Sequence, residues 1–414
     1  MSAPSDRTLD LLEQLVAIDS TSAVSNLPVL DVCEEVLATA GAWTQRVAAP
    51  EATDKAGLLA RIGPDVDGGV VLSGHTDCVP VEGQPWTTDP FAMVERDGLL
   101  VGRGTTDMKG FIASMLAAAP SFAAAALARP LWVLLTWDEE IGTVGAGPMT
   151  EALLDVTTPS CAIVGEPTTM RPVVAHKGVR SLTVRVLGRD GHSSKPALGA
   201  NAVVAAARIA AHIDEVAAAR RADGGDPLFD PPETTFNVAT IQGGQAINII
   251  PRHAELTFEY RPVPADDGWD LADQVEAWAR REVLPDLQRV DPSCTIEVER
   301  GTFVQGLAPE SDPAGSFDGV ADKAAVREGG GAAGRVTNAG AAEALVRDLL
   351  GFTGDAGTVP FGTDGGWHQH HGISTVVCGP GDIDQAHQPD EFIDPAQLGA
   401  CDRFLADLAA HLEA

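Results

Sequence analysis

Apolar residues recur at helical spacing from Leu9 to Ile18 and from Val29 to Ala40. The polar run Asp19-Ser20-Thr21-Ser22 separates them and Gly41 follows the second, so the pattern predicts two helices with a break between. Short aliphatic runs then alternate with helical stretches. Leu58–Ile62, Val70–Ser73, Leu131–Trp137 and Cys161–Val164 read as strands, and the Ala-rich segment Gly110–Leu127 reads as a helix. Strands this continuously apolar, separated by helices, are buried on both sides. They predict an α/β domain with a mostly parallel sheet and helices on both faces.

The pattern changes after His176-Lys177-Gly178. Arg180–Gly188 and Glu255–Arg261 alternate in the manner of antiparallel strands, with the helix Ala200–Ala219 between them. Thr235–Ile241 and Cys294–Glu299 add two more strands. Strand, helix, strand, strand, helix, strand is the order of an open-faced α+β sandwich of the ferredoxin-like kind. The expected organisation is a discontinuous domain over 1–176 and 292–414, with residues 177–291 inserted as a second domain. The strand Ser374–Cys378 and the helix Pro395–Leu412 complete the first domain, and the Gly/Ala-rich stretch Glu328–Gly340 is read as a loop.

A length of 414 residues agrees with two domains, and 44% hydrophobic content with a globular fold. The net charge of −31 argues against nucleic acid or an anionic membrane surface as partner. It leaves open either steering of a cationic substrate or a compositional bias of the source. No apolar run is long enough to span a membrane, and the first residues make a poor signal peptide, so a cytoplasmic setting is expected. Six dispersed cysteines without a CxxC pair read as buried reduced thiols.

Five short segments carry the chemistry: Gly74-His75-Thr76-Asp77, Gly104-Thr105-Thr106-Asp107, Asp138-Glu139-Glu140, Gly165-Glu166-Pro167 and Ala386-His387-Gln388. Four lie at or just beyond the carboxyl ends of predicted strands, where open α/β sheets gather their sites. Asp107 precedes a helix start. Two imidazoles with several carboxylates suit Zn²⁺, then Co²⁺ or Mn²⁺, and one carboxylate can bridge a pair of ions. Asp77, two residues beyond His75, is placed to accept the free imidazole N–H. Of the neighbours Glu139 and Glu140, one is expected to bind metal and the other to take a proton from water.

The segments Ser73–Pro80, Gly102–Gly110, Asp138–Glu140 and Gly165–Thr168 resemble, in content and order, the M20 family of metallopeptidases and deacylases, over nearly the whole chain. The resemblance implies two metal ions, Zn²⁺ or Co²⁺. His75 and Glu166 would hold one, Glu140 and His387 the other, with Asp107 bridging. It implies that Asp77 orients His75 and that Glu139 is the general base. The insert resembles the family's lid or dimerisation domain, which implies a homodimer. Within the insert, His192 in Gly191–Pro196 would donate to the oxyanion across the dimer. Asn248, Arg261, Gly362 and Thr363 match positions that contact substrate.

Ala175–Gly178, Thr240–Gly244 and above all Cys378–Glu391 resemble the branch that deacetylates N²-acetyl-L-ornithine. This implies a small N-acyl amino acid as substrate. Succinyl-diaminopimelate, another N-acyl amino acid or a dipeptide stay open, as does a non-catalytic metal-binding relative. Asp190 and the histidine-rich stretch Trp367–His371 depart from the pattern; the latter is read as a surface loop or pocket wall rather than a further metal site.

Overall fold

The structure is a computed structural model, and it describes residues 3–50, 52–266, 268–310, 336 and 338–413. Most of the expected 328–340 loop lies outside the described residues. The chain divides into two units: residues 1–175, 307–358 and 363–414 form the larger, and 176–306 with 359–362 the smaller.

The larger unit is built on an eight-stranded sheet. Its strands run in the order Trp43–Ala48, Ala56–Ile62, Leu131–Thr136, Val70–His75, Cys161–Pro167, Thr375–Gly379, Val173–His176 and Gly357–Val359. The middle four pair in parallel, while Ala56–Ile62 and its neighbours, and the pair Thr375–Gly379 with Val173–His176, are antiparallel. The sheet is therefore mixed, with a parallel centre.

Residues of the central strands alternate between two cores. Leu58, Ala60, Val70 and Leu72 join one cluster with Leu12, Leu15, Phe111, Leu116, Val346 and Leu405. Leu59, Val71, Trp132 and Leu134 join another with Met149 and Leu153. Period-two burial on both sides is what places helices on both faces.

The first helix, Asp6–Val16, begins three residues ahead of the expected Leu9 because Ser5 caps it, its Oγ accepting the N–H of Thr8 at 3.1 Å. The strand Trp43–Ala48 and the helices Ala146–Val156 and Ala341–Leu350 are elements that the pattern did not disclose.

The smaller unit holds a four-stranded antiparallel sheet in the order Thr235–Gly243, His253–Arg261, Val179–Leu187, Thr295–Val304. Leu182, Val184, Val186, Leu256 and Phe258 bury one face against Ile209 and Ile213 of the helix Ala202–Asp223 and Leu271 and Val275 of Asp270–Trp278. The other face is open and polar. The unit ends at Gly306 rather than 291 because the strand Thr295–Val304 pairs with Val179–Leu187 inside it.

The parallel centre leaves no room at its strand ends. A Cβ on Gly379 would overlap the carbonyl oxygen of Gly165 on the neighbouring strand. Gly379→Ala is expected to destabilise the protein by about 1–3 kcal/mol, the usual range for overpacking, as a lowered midpoint in thermal or urea unfolding.

Candidate metal centre

His75 closes the central strand Val70–His75, level with Thr136 on its parallel neighbour. Past Thr136 the chain turns through Asp138, which has a positive φ of 54°. A turn follows in which the N–H groups of Gly142 and Thr143 donate to the Glu139 carbonyl at 2.9 and 2.8 Å. Glu166 lies near the end of the strand Cys161–Pro167. His387 sits in the left-handed region, φ 62°, on the loop beyond Thr375–Gly379. Asp107 comes two residues before the helix Lys109–Ala124. All belong to the larger unit.

The side chains converge as two linked groups. His75 Nε2 lies 3.0 Å from Asp107 Oδ1 and 3.7 Å from Glu166 Oε1. His387 Nε2 lies 3.2 Å from Asp107 Oδ2 and 2.9 Å from Glu140 Oε2. The two oxygens of Asp107 thus face different imidazoles. Ligand atoms of His75, Glu139 and Glu166 fall within 4.8 Å of one another, as do those of His75, Asp107 and Glu140.

His75 Nδ1 is 3.0 Å from the backbone carbonyl of Asp77 and 3.5 Å from its Oδ1. Both neighbours accept, so Nδ1 carries a proton and Nε2 is the ring nitrogen turned to the carboxylates, free to give up its own proton to a metal. The Asp77 carboxylate has further partners. It accepts from Ser22 Oγ at 2.7 Å and from the backbone N–H groups of Glu139 and Glu140 at 3.1 and 3.2 Å. One buried carboxylate therefore holds both the imidazole and the glutamate turn.

Burial and the neighbouring Glu166 raise the Glu139 carboxyl well above the usual carboxylate range. Burial and Asp107 do the same to Glu166, and raise Glu140 to about 7. Burial opposes ionisation of Asp107, but hydrogen bonds with His387 and His75 outweigh it and hold it low. Hydrogen bonds from Asp107 and Glu140 raise His387 to about 10. Burial opposes the charged form of His75 too, and the acids around it outweigh that and raise it. Glu140 Oε1 is buried without a hydrogen-bond partner. Excess buried carboxylates, two imidazole Nε2 atoms turned toward them and an orphaned oxygen fit cations bound among these residues.

Three participants escaped sequence reasoning. Lys55 Nζ is 2.6 Å from Asp138 Oδ1 and donates to the Ser22 carbonyl at 2.9 Å, pinning the glutamate turn. Ser22 donates to Asp77, as above. Asp364 accepts from Thr136 Oγ1 at 2.6 Å through Oδ2, while its buried Oδ1 has no partner. Burial raises this acid to about 6. A lysine 83 residues from its aspartate leaves no local signal; Asp364 stands beside Thr363, which the family resemblance had marked.

The remaining candidates divide between the two units. His192, Asn248, Arg261 and Gly362 belong to the smaller unit. The exposed His192 accepts the Ser194 N–H at Nδ1, 3.2 Å, which puts the neutral ring's proton on Nε2. The exposed Asn248 accepts the Ser193 N–H at its carbonyl, 3.1 Å. Arg261 Nε is 3.3 Å from Glu259 Oε1. Thr363 is buried in the larger unit and accepts the Gly365 N–H at 3.1 Å. Trp367–His371 is mostly a short helix, Gly365–His370, rather than a loop. Its His368 is buried between Thr150 Oγ1 and Ser73 Oγ, at 2.8 and 2.9 Å, and burial lowers it to about 3. All six cysteines are buried and unpaired, and among the described residues no helix is long and apolar enough to cross a membrane.

The model of peptidase family M20/M25/M40 matches residues 71–411. This chain is a member of that family. The acetylornithine deacetylase of Photorhabdus laumondii is 33% identical over 410 residues, covering 97% of this chain and 96% of that one. The acetylornithine deacetylase of Myxococcus xanthus is 35% identical over 405 residues, with the same coverage. Among solved structures, a tripeptidase from Staphylococcus aureus superposes with a TM-score of 0.70 at 18% identity, covering 100% of both chains. A dinuclear metal binding M20 peptidase from Bacillus subtilis gives 0.62 at 17%, covering 98% of this chain and 97% of that one. Membership makes the chain a metal-dependent hydrolase of amides.

Without metal, the raised acids keep protons in the folded state that the unfolded chain releases. The metal-free protein is expected to lose stability as pH rises from 4.5 to about 7 through Glu140, and from 6.5 to about 10 through His387. Thermal unfolding of chelator-treated protein between about pH 5 and 8 checks the direction; added Zn²⁺ is expected to reverse it, since the ion replaces those protons.

Proposed function

We propose that the protein hydrolyses N²-acetyl-L-ornithine to L-ornithine and acetate, a step of arginine biosynthesis, with two Zn²⁺ or Co²⁺ ions. His75 and Glu166 are assigned to one ion, His387 and Glu140 to the other, and Asp107 to both. The substrate reading rests on the run Cys378–Glu391 together with relatives of that activity that are 33–35% identical over nearly their whole length.

The observation that carries the mechanism is the Glu139 carboxyl. It makes no hydrogen bond or ion pair among the described residues, and burial holds its proton affinity well above that of an ordinary glutamate. One of its oxygens lies within 4.8 Å of ligand atoms of His75 and Glu166, beside the place proposed for an ion. Bound ions would supply Lewis acidity toward the amide oxygen and bring the pKa of water to about 7. Glu139 then takes a proton from the attacking water and delivers it to the departing α-amine. Asp77 keeps His75 in the tautomer that presents Nε2. We assign the oxyanion donor to His192 Nε2 of a second copy, a contribution of about 3 kcal/mol for a preorganised donor. Arg261 is assigned to the substrate carboxylate, which its planar fork can hold with two hydrogen bonds, and Asn248, Gly362 and Thr363 to further substrate contacts.

A homodimer through the smaller unit is supported by its edge. The strand Thr235–Gly243 is exposed along most of its length, with Ile241 47% exposed, Ile247 fully so, and Val204 on the helix beside it at 55%. An unpaired edge flanked by apolar side chains calls for cover.

Initial rates on acetylornithine, succinyl-diaminopimelate, other N-acetyl amino acids and dipeptides test the substrate; absence of ornithine release from metal-loaded protein sinks it. Glu139→Gln is expected to lower kcat by about 10²–10⁴-fold, the range for general base catalysis, with metal stoichiometry unchanged. Light scattering is expected to give twice the chain mass, and Ile241→Lys to give a single chain.

A further inference from the structure

We propose that Glu391 is a positioning residue of the metal centre, setting the loop that carries Asp107 against the loop that carries His387. The role rests on the two-metal reading above and adds a residue to it. Glu391 stands four positions after His387 and is 1% exposed. Its Oε1 accepts the backbone N–H groups of Thr106 and Asp107, at 2.9 and 3.1 Å. Its Oε2 accepts the Gly104 N–H at 3.0 Å and Arg103 Nη1 at 2.7 Å.

The surrounding backbone continues the same seam. The Glu391 carbonyl accepts the Gly102 N–H at 2.8 Å, and the Phe392 carbonyl accepts Thr106 Oγ1 at 2.6 Å. Phe392–Ile393 pairs antiparallel with Leu100 and Val101. A second tie runs through Arg103, whose Nη2 donates to Gln84 Oε1 at 2.6 Å, while Gln84 Nε2 donates to the His387 carbonyl at 3.0 Å.

Neutralising Arg103 would need one carboxylate oxygen. Three of the four bonds go instead to backbone N–H groups of residues 104–107, including that of Asp107 itself. A buried carboxylate that gathers these donors fixes where the Asp107 side chain starts, and so where its two oxygens fall between His75 and His387. Hydrogen-bonding partners one step behind a ligand commonly change metal affinity by about 10–100-fold.

The test uses full-length wild type, Glu391→Gln, the pair Arg103→Met with Glu391→Met, and Leu405→Ala. Each is stripped with chelator, titrated with Co²⁺ or Zn²⁺ by calorimetry, and unfolded thermally without metal. Glu391→Gln presents an amide N–H₂ where the loop needs an acceptor. The double variant strands no buried charge, so it reports even where Glu391→Gln folds poorly. Leu405, buried in the same unit on the helix Pro395–Leu412 and making none of the polar contacts above, controls for general destabilisation.

Wild type is expected to bind two ions. Both Glu391 variants are expected to bind one of them about 10–100-fold more weakly, and Leu405→Ala to stay within about threefold of wild type. Two ions bound with wild-type affinity by either Glu391 variant overturn the proposal. So does an equal loss of metal in Leu405→Ala at an equal loss of unfolding temperature. Wild type binding no ion pair overturns the two-metal reading itself, and this role with it.

Discussion

Six carboxylates, those of Asp77, Asp107, Glu139, Glu140, Glu166 and Asp364, gather with two imidazoles at the strand ends of the parallel centre of a mixed sheet. Burial and neighbouring like charges raise the proton affinity of Glu139, Glu140, Glu166 and Asp364, while hydrogen bonds with the imidazoles hold Asp77 and Asp107 low. The arrangement is tolerable when cations take up the charge, and the geometry around it serves that end. His75 and His387 present their Nε2 atoms to opposite oxygens of Asp107. The glutamates fill in from strand ends on either side.

Such a cluster needs rigid support, since each ligand arrives on a different loop. Asp77 supports the imidazole of His75 and the turn of Glu139 and Glu140 together. Lys55 anchors that turn from below through Asp138. On the opposite side, the seam around Glu391 joins the segments of Asp107 and His387. These supports are themselves buried and hydrogen-bonded, which limits the freedom the ligands would otherwise have to lose on binding metal. Among the described residues the Glu139 carboxyl has no such partner, which suits the base role proposed for it.

Family membership narrows the chemistry to amide hydrolysis, and the likeness to solved structures at 17–18% identity speaks to the fold. The substrate proposed for this chain rests on the likeness of the segment Cys378–Glu391 and on relatives of that activity. His192, Asn248 and Arg261, assigned to oxyanion and substrate in that proposal, are carried by the smaller unit.

Much of this was legible in the chain. The continuous apolar runs at Val70, Leu131 and Cys161 marked central strands because such runs must be buried on both faces, and the ligand segments stood where those strands end. The alternating pattern after residue 179 disclosed the second sheet for the same reason of period. Three-dimensional structure decided the rest. The edge strand Trp43–Ala48 is exposed and so carries no apolar signature. Lys55, Asp364 and Glu391 act across long stretches of chain, and a buried charge is defined by partners that only folding supplies. The histidine-rich segment shows the converse: its composition read as a surface loop or pocket wall, and packing made His368 a neutral core residue between two hydroxyls. Local pattern records which face a residue must bury; which distant group will meet it there depends on tertiary contacts.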